Sequence, residues 1–228
     1  MDIQGLQKLT LLDYPGHVAC TVFLGGCDLR CPFCHNAELI GAAPALMGEE
    51  ELLAFLKKRQ GILEGVAFTG GEPLLRPDLP ALLRRVRALG YPVKLDTNGT
   101  HPAALEAVLR EGLADYVAMD IKNSPEKYAA TVGVPGFDTA VIGRSMTLLR
   151  EGGIDYELRT TVVAELHDEA SFRAIGPWIA GAPRYFLQCF ADRDSVMTPG
   201  LHAPTEEELR RWAALVRPYV GSVALRGV

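Results

Sequence analysis

Three cysteines fall within eight residues, in the run Gly25-Gly26-Cys27-Asp28-Leu29-Arg30-Cys31-Pro32-Phe33-Cys34-His35-Asn36. Spacers of three and two residues let one loop curl its thiols around one metal centre, and thiolates favour zinc, copper(I) or iron–sulfur centres. A closed structural zinc site takes four ligands, often from two separated Cys-x2-Cys knuckles, and the chain has no second knuckle. Two readings follow. Either a histidine, His35 or a remote one, completes a zinc site, or the thiols hold a cubane cluster. Such a cluster ordinarily takes four cysteines, so three would leave one iron open to a ligand that is not protein. Cys20 and Cys189 lie inside predicted strands and read as buried core cysteines.

Further candidates sit where predicted strands end. Thr69-Gly70-Gly71-Glu72-Pro73 offers two glycines for a sharp turn or a close backbone approach to a ligand, with Glu72 as acceptor; it also reads as an ordinary strand-to-helix turn. Asp96-Thr97-Asn98-Gly99 ends the next strand, and Asp120 and Lys122 end the one after. Asn98-Gly99 is a common turn pair. Asp96 and Asp120 are more telling, because strand tips put their carboxylates on one rim. In parallel α/β folds that rim, at the carboxyl ends of the strands, is where ligands bind. It would offer acceptors for an amino group and a ribose (Glu72, Asp96), a cation for a carboxylate (Lys122), and Asp120 for a cation or polar group. Arg159 either projects into the same cavity or pairs with a nearby acid.

Positioning these residues requires alternating strands and helices. Strands are predicted at His17–Leu24, Gly65–Thr69, Pro92–Asp96, Asp115–Ile121, Asp155–Val163 and Arg184–Phe190, with a weaker one at Val220–Leu225. Several are apolar on both faces, as parallel strands covered by helices are. Helices are predicted at Glu49–Gln60, Pro77–Leu89, Pro102–Arg110, Thr139–Arg150 and Glu169–Ile179. Thr205 and Glu208 form a capping-box pattern ahead of a final helix. A full barrel of eight βα units typically takes about 250 residues, so the expected fold class is α/β, a partial (β/α)6 TIM-type barrel with mostly parallel strands.

Composition narrows the function classes. Lys+Arg 23 against Asp+Glu 28 gives a net charge of -5, without the basic excess of a nucleic-acid binder. No apolar run reaches the roughly 18 residues of a membrane span, and Met-Asp-Ile-Gln-Gly does not open a signal peptide. A cytoplasmic protein with no nucleic-acid or membrane partner is expected. Five cysteines, three of them crowded together, fit metal or redox chemistry better than a disulfide scaffold.

Taken together, the Cys-x3-Cys-x2-Cys loop ending Cys34-His35-Asn36, the Gly-Gly-Glu-Pro turn, Asp-Thr-Asn-Gly and Met119-Asp120-Ile121-Lys122 resemble the radical S-adenosylmethionine (radical SAM) enzymes. Within them the chain is similar to the glycyl-radical-enzyme activases, closest to the activating proteins of anaerobic ribonucleoside-triphosphate reductases. The resemblance runs from about Gly5 to Phe190 and implies one radical SAM domain over 1–228, with a core of about 15–190 and a C-terminal extension, 191–228, containing one helix.

The resemblance also implies roles. Cys27, Cys31 and Cys34 would hold a [4Fe-4S] cluster whose open iron chelates the amino and carboxylate groups of S-adenosyl-L-methionine. Gly70, Gly71 and Glu72 would receive the amino group. Asp96, Thr97 and Asp120 would lie beside the carboxylate, with a monovalent cation; Lys122 would face it, and Asn36 would lie near the cofactor. Arg159 matches an activase arginine, and Gln188 stands where some activases have a ribose-binding histidine. The implied reaction is reductive cleavage to methionine and a 5′-deoxyadenosyl radical, which takes hydrogen from a glycine of a partner glycyl radical enzyme. A low-potential electron donor such as flavodoxin or ferredoxin is implied as well. The alternatives are a radical SAM enzyme acting on a small molecule, like 7-carboxy-7-deazaguanine synthase, and a zinc-stabilised binding protein.

Overall fold

Amphipathic stretches between apolar runs carry the chain back across a sheet, so consecutive strands lie parallel. A computed structural model describes residues 1–41, 43–193 and 195–228. Its strands are β1 (Asp2–Ile3), β2 (Gly5–Thr10), β3 (Ala19–Leu24), β4 (Met47–Gly48), β5 (Gly65–Gly70), β6 (Val93–Thr97), β7 (Tyr116–Asp120), β8 (Asp155–Val162), β9 (Tyr185–Cys189) and β10 (Val223–Arg226). The helices are α1 (Glu49–Lys58), α2 (Leu79–Ala88), α3 (Pro102–Arg110), α4 (Tyr128–Val132), α5 (Ala140–Glu151), α6 (Glu169–Trp178) and α7 (Glu206–Val216).

Eight strands form one sheet in the order β10-β9-β8-β7-β6-β5-β3-β2. Every neighbouring pair is parallel except β2 and β3, which are antiparallel. The edge strands β2 and β10 do not pair with each other, so the barrel is partial, as expected from the sequence. β1 and β4 form a separate antiparallel pair. The six expected strands are present, and the weaker one appears as β10, parallel to β9. The segment after residue 190 therefore adds a strand to the sheet as well as a helix.

Local signals account for some element ends. In α7, Thr205 Oγ1 accepts from Glu208 N at 3.2 Å and the Glu208 carboxylate accepts from Thr205 N at 2.8 Å, closing the capping box. α3 has the predicted bounds. α2 starts two residues late, at Leu79, with Pro80 rather than Pro77 in its first turn. β2 and the five-residue α4 have no counterpart among the predicted elements: α4 is too short for helical periodicity, and β2 carries exposed Gln7, Lys8 and Leu9 in place of an apolar run or a clean alternation.

Alternation within the strands sorts the side chains. Val93 and Leu95 on β6, and Leu158 and Val162 on β8, are buried in the apolar layer shared with the helices. Their alternating neighbours, Lys94, Asp96, Glu157 and Arg159, line the polar interior of the barrel. Charge inside strands survives there because it is paired: Glu157 receives both Nη atoms of Arg226 at 2.6 and 2.9 Å and the Tyr116 hydroxyl at 2.7 Å.

Candidate active site

The cysteine loop is clamped from three sides by backbone. Gly71 N donates to Leu24 O and Glu72 N to Gly26 O, each at 2.8 Å, so the turn after β5 packs directly on the start of the loop. A Cβ on Gly71 would lie 2.0 Å from Gly26 O, and one on Gly70 would lie 2.3 Å from Leu24 O. These glycines serve contact between two turns, an additional demand to the ligand approach expected from the sequence. On another side Arg30 N donates to Val132 O at 2.8 Å, at the end of α4. Gly133, at φ +66, closes that helix where a Cβ would lie 2.5 Å from Arg30 O. Thr198 N donates to Pro32 O at 2.9 Å from the third side.

A cavity of about 190 Å³ opens at the carboxyl ends of the strands. Cys27, Cys31 and Cys34 line it, as does every other expected site residue except Glu72. Phe33 and Leu29, both buried, anchor the loop in the core. Burial pushes the Cys27 thiol up and the Cys31 thiol up to about 12, with Lys122 pulling Cys31 the other way. A metal centre must displace those protons. Asn36 Nδ2 donates to Gly70 O at 2.8 Å, tying the loop's exit to the turn after β5. Asn98, a mere turn residue by sequence, lines the cavity too. Its Nδ2 lies 3.0 Å from Asp28 Oδ1 and 3.9 Å from Cys27 Sγ.

The rim carboxylates are fully engaged. Asp120 Oδ1 accepts from Arg159 Nε at 2.5 Å and Oδ2 from Lys122 Nζ at 2.7 Å. Asp96 Oδ2 lies 3.2 Å from Arg159 Nη2, and its Oδ1 accepts from Lys94 Nζ. Burial alone would raise both carboxyls. Arg159 with Lys94 at Asp96, and Arg159 with Lys122 at Asp120, outweigh it and hold both below the ordinary aspartate value. Burial would lower Lys122, but Asp120 outweighs it and raises the ammonium above its usual value. Its Nζ stands 6.0 Å from the Phe33 ring centre. His167, not anticipated from the sequence, holds the Lys122 backbone: its Nε2 bonds Lys122 O at 2.8 Å and its Nδ1 accepts from Val163 N at 3.1 Å.

Glu72 is placed differently from the sequence expectation. It is wholly buried behind the cavity wall, where its carboxylate accepts from Leu74 N at 3.0 Å, Thr97 Oγ1 at 2.9 Å and Asn98 N at 2.6 Å. Burial pushes its carboxyl up to about 7 against those three donors. Glu72 thus ties the turn after β5 to the end of β6, and the Thr97 hydroxyl points to it. Gln188 Nε2 lies 3.4 Å from Thr161 Oγ1 beside the cavity.

These residues fit an iron–sulfur cluster with an open corner: three thiols of one clamped loop share a cavity wall. Cys20 is buried in β3, and Cys189 Sγ lies 3.9 Å from Pro204 O; neither lines the cavity. His35 Nε2 bonds Ala191 O at 2.7 Å and the ring stacks on Phe190. Among the described residues no three His, Cys, Asp or Glu side chains gather as a site for a single ion needs.

Comparison with known proteins agrees with this geometry. Residues 21–170 match the Radical SAM superfamily. The chain belongs to the radical SAM superfamily. This radical SAM chain is 30% identical to a Methanocaldococcus jannaschii protein provisionally named a glycyl-radical enzyme activating enzyme, over 99% of its own length and 96% of that protein's. It is 33% identical to the pyruvate formate-lyase-activating enzyme of Clostridium pasteurianum over 60% of each chain. It is 30% identical to the 7-carboxy-7-deazaguanine synthase of Thermococcus kodakarensis over 63% of each. Among solved structures, Streptococcus suis SuiB bound to its precursor peptide SuiA superposes with a TM-score of 0.73 at 15% identity, over 91% of this chain and 48% of that one. A domain of the pyruvate-formate lyase-activating enzyme from Bacteroides vulgatus gives 0.58 at 22% identity, over 72% and 99%. At such identities the likeness is one of fold. Among the described residues no helix of the radical SAM chain is long and apolar enough to cross a membrane.

Proposed function

We propose that this radical SAM enzyme is a cytoplasmic glycyl-radical-enzyme activase, with Cys27, Cys31 and Cys34 holding a [4Fe-4S] cluster and an anaerobic ribonucleotide reductase-like protein as partner. The observation that carries the reading is that all three thiols of the loop share one cavity with Asp96, Asp120, Lys122 and Arg159 at the strand ends. When bound and reduced, the cluster supplies one electron for cleaving S-adenosylmethionine to methionine and a 5′-deoxyadenosyl radical that takes hydrogen from the partner's glycine. The chain's own residues orient and enclose. Lys122 and Arg159 present cationic groups to a carboxylate, and Asp96 and Asp120 hold those cations in place. Gly70 O, on the cavity wall beside Asn36, is an acceptor for an ammonium group. The buried Leu29 and Phe33 help keep water from the reaction. A low-potential electron donor such as flavodoxin or ferredoxin belongs to the same reading. Similarity to the M. jannaschii protein over nearly the whole of both chains favours an activase over the small-molecule enzymes, which align over a smaller share.

The test is anaerobic reconstitution with iron and sulfide. The EPR signal of the reduced protein is expected to change on adding S-adenosylmethionine, and a glycyl radical partner to acquire a doublet signal. Cofactor cleavage without a doublet on any candidate partner rejects the activase while leaving the superfamily chemistry intact. A saturable rise in deoxyadenosine with a metabolite points instead to a small-molecule enzyme. Colourless protein with one zinc per chain would leave only a binding role.

A further inference from the structure

Asp96, Thr97 and Asp120, expected beside the cofactor's carboxylate together with a monovalent cation, do not fit such an ion. A hard cation needs oxygen donors with no other cation beside them, and here each of the four carboxylate oxygens already faces a protein cation that would repel it. Asp96 takes Lys94 and Arg159, and Asp120 takes Arg159 and Lys122. The third expected donor is turned to the protein as well: the Thr97 hydroxyl gives its proton to Glu72 at 2.9 Å and its oxygen accepts from Gly99 N at 3.0 Å. With the neighbouring Glu157 taken up by Arg226, the three cations Lys94, Lys122 and Arg159 against Asp96 and Asp120 leave one positive charge in excess, the complement of one carboxylate ligand. An added alkali ion would double that excess on the wall of a partly enclosed cavity.

Lys94 makes the difference. It lies two residues before Asp96 on β6, hence on the same face of the strand, and its side chain is 3% exposed. Without it, Asp96 would keep an oxygen free. We propose that Lys94 and Arg159 replace the alkali-metal cation, so that this chain binds S-adenosylmethionine without one, and that Lys94 is a positioning residue for the cofactor site. The proposal rests on the reading above, that Asp96 and Asp120 flank the cofactor's carboxylate.

The experiment compares sodium, potassium and choline chlorides at equal ionic strength, with two readouts. One is the affinity of the cluster-loaded protein for S-adenosylmethionine, followed by EPR of the reduced cluster. The other is the Tm of the cluster-free chain. The parent is expected to be indifferent to the cation in both. Lys94→Gln is expected to bind the cofactor at least about fivefold more tightly in sodium or potassium than in choline, the low end of ordinary coupling between two ligands. Lys94→Arg, which keeps the charge, should stay indifferent. A parent that gains affinity or Tm selectively in sodium or potassium overturns the proposal, as does a folded Lys94→Gln that ignores the cation. If Lys94→Gln does not fold, the salt comparison on the parent decides alone. Failure to bind S-adenosylmethionine in any salt overturns the functional reading and this proposal with it, whereas a cation-responsive parent sinks the proposal only.

Discussion

Single side chains divide here into those that touch the reacting group and those that hold them. Cys31 is the most buried of the three loop thiols, with 6% of the residue exposed. Cys31→Ser exchanges one small side chain for another and adds a buried hydroxyl worth about 1–3 kcal/mol if left unpaired. The variant is expected to stay folded and soluble but to retain little iron after anaerobic reconstitution, measured as iron and sulfide per chain. Iron content equal to the parent's would remove Cys31 from the ligand set. Lys122 faces the cavity without being a thiol ligand, so Lys122→Ala separates two steps: iron loading should remain near parental while S-adenosylmethionine binds at least about tenfold more weakly, the effect of losing roughly 1.4 kcal/mol. Titrating the reduced protein and following its EPR change gives both numbers.

At the level of elements, the site depends on turns pressed against one another. β5 ends in a turn whose glycines allow contact with the loop after β3, and α4 ends in a glycine that allows contact with Arg30. Gly71→Ala should cost about 3 kcal/mol or more, since its Cβ would meet backbone that cannot swing aside. Because the displaced atom is Gly26 O, next to Cys27, iron retention should fall as well. Gly90, at φ +90 with nothing near its absent Cβ, is the matched control. Gly90→Ala should cost about 1–2 kcal/mol of backbone strain and leave iron retention unchanged. Denaturant midpoints and iron assays on both variants check the contrast.

For the whole molecule, the buried Glu72 couples stability to pH. Its carboxyl is pushed from 4.5 up to about 7 in the folded chain. The folded state therefore keeps this proton to higher pH than the unfolded state, and its stabilising effect, complete below pH 4.5, is lost as pH rises through about 7. Integrated over that window the loss is roughly 3 kcal/mol. Urea midpoints of the parent are expected to fall between pH 5 and 7.5, and those of Glu72→Gln to fall much less, from a lower starting point because the new amide faces the Asn98 N–H. Parallel slopes in parent and variant would mean that another group carries the dependence. Asp96 and Asp120 act with the opposite sign: held below their ordinary values, they favour folding above about pH 4 and lose that effect only in stronger acid.

Periodicity and spacing are local, and what they could carry was plain from residue order. The parallel strands, the helices between them, the Thr205 capping box, the thiol loop and the carboxylates at strand tips were all legible there. β2 and α4 were not, because five residues hold too little helical period and β2, an edge strand with Gln7, Lys8 and Leu9 exposed, shows neither an apolar run nor alternation. Side-chain partnership was equally hidden. The residue order placed Glu72 and Asp96 at strand ends but left open that Glu72 turns inward to Thr97 and Asn98, and that Lys94, unmarked inside its strand, reaches Asp96. Which cation neutralises which carboxylate depends on register between β6, β7 and β8, and hence on contacts distant in sequence. Only when the strands stand side by side do four carboxylate oxygens and three cations meet, partly shielded from water at the cavity wall, where leaving one unpaired would be costly.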